Sequence, residues 1–201
     1  MSEETPLTPA QTFLEHLDEL RGAIIRALIG LVVMCVAGYF IADYLQDLLL
    51  FSFRTHQGTQ LALIAPAEGF IVKLKISVVA GIFLASPWVF YQIWHFVAEG
   101  LYPHERKMVL PVVFFSTMLF LAGAAFAYMV LPWAVDFFLS FATPEVENMW
   151  SLGRTLDFIL RMFLSFGVVF ELPIAIYFLA RFGLVTPGFL RTYRRHSYIV
   201  V

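Results

Sequence analysis

Charge is what this sequence has least of. Only 14% of its 201 residues are Asp, Glu, Lys or Arg, against about 25% in a soluble domain. With 60% hydrophobic residues and 22 Phe, the chain is too apolar to meet water over its whole surface, so a soluble globular domain is excluded. The net charge of −2 gives no basic footprint for nucleic acid. Cys35 is the one cysteine, so an intrachain disulfide is impossible. His16, His56, His95, His104 and His196 are scattered, without metal-ligand spacing. The opening MSEETPLTPAQ is acidic and lacks an apolar core, which argues against a cleavable signal peptide. HExxH, Walker and GxGxxG motifs are missing, and Ser165-Phe166-Gly167 is no nucleophile elbow. The chain is therefore not expected to be an enzyme, and no metal or cofactor is expected.

What is present is a series of long apolar runs, at about 22–42, 69–98, 108–135 and 157–182, with a fifth beginning near 197. The first, 21 residues at about 1.5 Å each, is about 31 Å long, the thickness of a hydrocarbon core. The fold class is all-α, a polytopic transmembrane helical protein forming one integral membrane domain over 1–201. Thr8 and Pro9 read as a helix start, and the helix is expected to run on into the first span. Residues 43–69 read as a connection with an amphipathic piece, DYLQDLLLFSF, and 136–157 as a second one on the same side. Pro87 inside the second run predicts tilt or a kink, and Trp88, Tyr91 and Trp94 an interfacial end. Gly123, Ala124, Ala125 and Ala127 give the third run a small-residue face for close helix packing.

Short loops set the orientation. The N-terminal side, the 99–107 turn and the 183–196 segment carry Arg21, Arg26, Arg106, Lys107, Arg181, Arg191, Arg194 and Arg195, while the opposite connections carry Arg54 and Arg154. The bias predicts a multi-pass protein of the cytoplasmic (inner) membrane with its N-terminus in the cytoplasm. It also puts two acidic segments, FLEHLDELR (13–21) and EGLYPHERK (99–107), on one face.

Two constellations in this pattern can carry function. In the first, Glu15, Asp18 and Glu19 form a stripe on the N-terminal helix, and Glu99 and Glu105 sit in the turn. These are either solvated charges neutralised by neighbouring Arg residues, or a site for a cationic ligand. Paired arginines need carboxylates from two elements and are read bidentately, which separates Arg from Lys. In the second, Glu171 lies midway along the fourth run. A carboxylate there must be protonated, paired or turned to a water-filled concavity. Arg161, ten residues away, stands about 15 Å off along the axis and cannot pair with it within the helix.

Several stretches together resemble the TatC component of the twin-arginine protein translocase. They are HLDELR (16–21), SPWVFYQIWHF (86–96), LYPHER (101–106), AGAAFAYMVLP (122–132) and FGVVFELPIAI (166–176). The order and spacing are specific, and the resemblance covers nearly the whole chain. It implies a cup-shaped protein of six membrane helices, of which this sequence carries four and the start of a fifth; a chain ending there is expected to lack one wall of the cup. It implies binding of twin-arginine signal peptides of folded cargo and work with single-span partners of the TatA and TatB type. Transport would be driven by the proton-motive force, and a homo-oligomer is expected in the receptor complex. By position, Glu19 and Glu105 match the carboxylates that receive the arginines, and His16, Leu20, Arg21, Phe96, Leu101 and Tyr102 match the surrounding patch. Glu171 matches the intramembrane carboxylate of the concave face. Two departures are visible: Glu99 stands where many members have Pro, and LLLFSF lacks the Pro often found in the first far-side connection. The competing reading is a proton-coupled small-solute transporter using Glu171; the absence of a clear repeat between 22–98 and 108–182 counts against it.

Overall fold

The computed structural model describes residues 9–54, 60–99, 109–141 and 149–181, with side chains described for 17–51, 61–98, 109–141, 149–178 and 180. It contains four long helices: α1 (Pro9–Arg54), α2 (Glu68–Glu99), α3 (Val109–Leu139) and α4 (Leu152–Arg181). Two three-residue strands, β1 (Gln60–Ala62) and β2 (Met149–Ser151), pair in parallel, with Leu61 opposite Trp150. Each helix contains a segment long and apolar enough to cross a membrane: 17–51, 68–98, 109–139 and 152–178. Phe40, Met129 and Trp133 are 80%, 71% and 74% exposed, which in a helix of this composition marks a surface turned to lipid.

The helix boundaries differ from the sequence reading in one instructive place. The first helix does not end at residue 42; it continues to Arg54. Residues 43–54 contain neither Gly nor Pro, so nothing in the backbone stops the helix. Its interior face explains the rest: Leu49 and Leu50 are buried and belong to the main apolar core. Helix α4 likewise starts at Leu152, five residues before the expected start. Pro87, Pro132 and Pro173 all lie inside continuous helices.

Successive helices run antiparallel, which leaves α2 and α4 parallel. α1 packs chiefly on α2, and α3 on α4. Both pairs depend on glycine. A Cβ on Gly81 would stand 2.5 Å from the Cys35 Cα, and one on Gly123 would stand 2.6 Å from the Phe166 carbonyl oxygen. Such backbone approach is how helices associate in lipid, where apolar burial alone gives little drive. The expected small-residue face of the third run is thus realised at Gly123.

The apolar core sits at one end. Ala42, Leu50, Val72, Ile76, Leu131, Val135, Leu156 and Ile159 all belong to it, and all come from the C-terminal part of α1 and α3 or the N-terminal part of α2 and α4. That end is also closed by polar bonds. The Glu68 carboxylate accepts hydrogen bonds from the Ser151 hydroxyl and the Gly153 amide at 2.7 Å each, and from the Ile64 and Ala65 amides. Lys73 pairs with Asp43 at 2.7 Å and lies over the Tyr39 ring, 4.8 Å from its centroid.

Candidate functional site

At the opposite end, where α1 begins and α2 finishes, the described residues leave a cleft. It measures about 750 Å³ and lies between these two helices, lined by Asp18, Glu19, Gly22, Arg26, Trp88, Tyr91, Gln92 and His95. α1 and α2 approach closely at Gly38 and Gly81, and Trp88 seats against Gly30; the cleft lies beyond these contacts. The cleft wall on α2 repeats at three- and four-residue steps, at 88, 91, 92 and 95, which puts those side chains on one helical face.

The polar groups of the cleft are organised across the two helices. The Arg26 guanidinium donates its Nε hydrogen to the Gln92 Oε1 at 3.1 Å. The Trp88 indole donates to the Arg26 carbonyl oxygen at 3.0 Å. Gln92 is buried although polar, so its bond to Arg26 gives its amide oxygen a partner. Arg26, which the sequence offers only as one of the charges that set orientation, is therefore tied to α2. The Trp88 and Tyr91 rings stack at 6.2 Å, and Tyr91 meets His95 at 5.7 Å. The resulting surface joins two carboxylates, Asp18 and Glu19, to an aromatic wall. Carboxylates accept from guanidinium groups, and aromatic faces attract cations within about 6 Å.

The structure places the expected site residues unevenly. Glu19 lines the cleft, and Leu20 and Arg21 follow it on α1. Phe96 lies half-buried near the end of α2. The backbone of His16 belongs to α1, but its side chain is outside the described residues, as are Leu101, Tyr102 and Glu105. The cleft also holds Asp18, one of the three acidic candidates of the stripe, and adds Arg26, Tyr91, Gln92 and His95, which the sequence does not mark as site residues. The spacing 88–91–92–95 is the signal that could find them; the interfacial reading takes in only Trp88 and Tyr91 of these four.

Glu171 occupies a second polar spot, where α4 faces α3. The Ser116 hydroxyl stands beside its carboxyl group. Ser116 is itself fully buried and accepts the Trp94 indole hydrogen at 3.2 Å. The Glu171 Oε1 is shielded and has no hydrogen-bond partner among the described residues. Such an atom in a bundle interior is set up to meet a further donor. No group of three or more metal-ligating side chains occurs among the described residues.

Comparison with known proteins gives one answer throughout. The family model for Sec-independent protein translocase protein (TatC) matches residues 15–201. The Sec-independent protein translocase protein TatC of Desulforapulum autotrophicum is 37% identical over 203 aligned residues, covering 100% of this chain and 74% of that protein. The protein of the same name from Carboxydothermus hydrogenoformans is 38% identical over 191, covering 94% and 78%. Two crystal structures of the twin-arginine translocase receptor TatC superpose with TM-scores of 0.82 and 0.83, at 32% and 31% identity. Each covers 92% of this chain, and 84% and 83% of its own. A model match over most of the chain, relatives above 30% identity and a shared fold agree: the chain belongs to the TatC family, a membrane component of the Sec-independent protein translocase.

Proposed function

We propose that this protein is the receptor for twin-arginine signal peptides, with the arginines bound at the cleft end of the α1–α2 pair. The observation that carries the reading is the cleft lined by Asp18 and Glu19 and walled by Trp88, Tyr91 and His95. Glu19 receives one guanidinium group and Glu105, from the turn after α2, receives the other. His16, Leu20, Arg21, Phe96, Leu101 and Tyr102 complete the patch. Bidentate geometry and aromatic contact both favour guanidinium over ammonium, which gives a reason for arginine rather than lysine.

The N-terminus and this cleft face the cytoplasm, and the membrane is the inner membrane. Folded cargo then crosses with TatA- and TatB-type single-span partners, using the proton-motive force, in a complex containing further copies of this chain. Glu171 serves there as a polar contact for a partner or signal-peptide helix.

The test is binding of a labelled twin-arginine peptide to the protein in membranes. Binding should fall when the two arginines become lysines, and fall again when Glu19→Ala is combined with Glu105→Ala. Site-specific crosslinks from positions 16–21 and 101–106 should reach the peptide. Full binding by the doubly substituted protein would overturn the assignment. Solute flux through liposomes holding this protein alone would instead favour a proton-coupled transporter.

A further inference from the structure

A groove of about 420 Å³ lies between the parallel helices α2 and α4, away from the α1–α2 cleft. Its walls include Leu74, Lys75, Val78, Asp157, Arg161 and Leu164. Lys75 and Asp157 form a two-contact ion pair, at 2.7 and 2.9 Å. Each neutralises the other. Arg161 stands one helical turn beyond Asp157, exposed, and makes no hydrogen bond or ion pair among the described residues. The groove therefore carries one cation more than it carries carboxylates.

Depth makes that excess matter. Arg161 is nine residues into α4, about 14 Å from its start along the axis, inside the segment long and apolar enough to cross a membrane. A guanidinium there needs an anion or a route to the interface. Snorkelling brings its head toward the Lys75–Asp157 level. From that level the groove continues toward mid-membrane between Val78 and Leu164, which are apolar. A polar rim with surplus positive charge above an apolar slot matches the two halves of one molecule: a phosphate headgroup and an acyl chain.

The geometry points to a binding site for an anionic phospholipid in the α2–α4 groove, with its phosphate on Arg161 and Lys75 and one acyl chain along Val78 and Leu164. The guanidinium fork takes two phosphate oxygens and supplies the surplus charge, while Lys75, still paired with Asp157, offers its remaining N–H. The lipid belongs to the leaflet at the Glu68 and Leu152 end of the helices.

Native mass spectrometry of the detergent-purified protein tests this, with dioleoyl phosphatidylglycerol, dioleoyl phosphatidylcholine or inorganic phosphate added. One phosphatidylglycerol per chain should bind in preference to phosphatidylcholine, and excess inorganic phosphate should not displace it. Arg161→Gln should weaken that binding about fivefold, the effect of one cation beside anionic lipid. Arg161→Lys should retain it, and Arg154→Gln, outside this groove, should not change it. Equal binding by wild type and Arg161→Gln would overturn the proposal, as would equal binding of the two lipids or displacement by inorganic phosphate. Failure of wild type and Arg161→Lys to retain any lipid would also overturn it, and would favour a carboxylate on another protein chain as the partner of Arg161.

Discussion

The two ends of the helix bundle are built on opposite principles. At the β1–β2 end every helix contributes to a dry core, the strands join two connections, and Glu68 is satisfied by four donors. At the other end the polar residues Gln92 and Ser116 are buried, and the described residues leave a cleft of about 750 Å³ between α1 and α2. One end fixes the geometry; the other uses it. Strain or substitution at the closed end should register as stability, and at the cleft end as binding.

Four changes would break or sharpen that contrast. The largest is Ile159→Ala. This side chain is fully buried in the closed core, and truncation there costs about 2–5 kcal/mol. Thermal unfolding in detergent should show a much lower Tm, while signal-peptide affinity per folded molecule stays near wild type. Loss of affinity in proportion to stability would show that the two ends are not independent. Next is Glu19→Ala with Glu105→Ala, expected to weaken twin-arginine peptide binding about tenfold or more, at about 1.4 kcal/mol per tenfold, with little change in Tm; fluorescence titration would read this.

Trp88→Phe keeps an aromatic ring but removes the hydrogen bond to the Arg26 carbonyl and the indole edge packed against Gly30. It should cost about 1 kcal/mol and loosen the cleft, seen as faster amide exchange near residue 30 and slightly weaker peptide binding. The smallest global effect belongs to Glu68→Gln. It removes a negative charge from the donors of Ile64, Ala65, Ser151 and Gly153 without removing bulk. Amide exchange should rise at Ile64, Ala65 and Gly153, with peptide binding untouched. Unchanged exchange would mean that the core, the strand pairing and the Lys73–Asp43 pair hold this end without the Glu68 charge.

Much of this contrast could not be read from the sequence. The four spans were legible, because apolar runs of membrane length are a strong signal. The reach of α1 to Arg54 was less so: Asp43 and Asp47 break the apolar run, and only the pairing of Asp43 with Lys73 across α2 shows how the charge is accommodated. Local patterns also missed Glu68, because its partners Ser151 and Gly153 lie more than eighty residues away in the chain. The acidic stripe was visible at once, yet periodicity did not choose among Glu15, Asp18 and Glu19. Resemblance singled out Glu19, and the structure adds Asp18 beside it in the cleft wall. The meeting of Glu171 with Ser116 needed the antiparallel α3–α4 pairing, which no single run encodes.

The pairing of β1 with β2 also imposes an order of assembly. Gln60 and Met149 face each other across the sheet, and β1 can find that partner only after α2, the turn and α3 have been made. A growing chain can complete the α1–α2 hairpin early, through contacts such as Gly38 against Ser77 and Arg26 with Gln92. Until residue 153 emerges, Glu68 lacks two of its four donors. Pairings so distant in sequence form slowly relative to local ones. The described walls of the cleft come from α1 and α2, so that part of it is available in the newborn protein before the opposite end has closed.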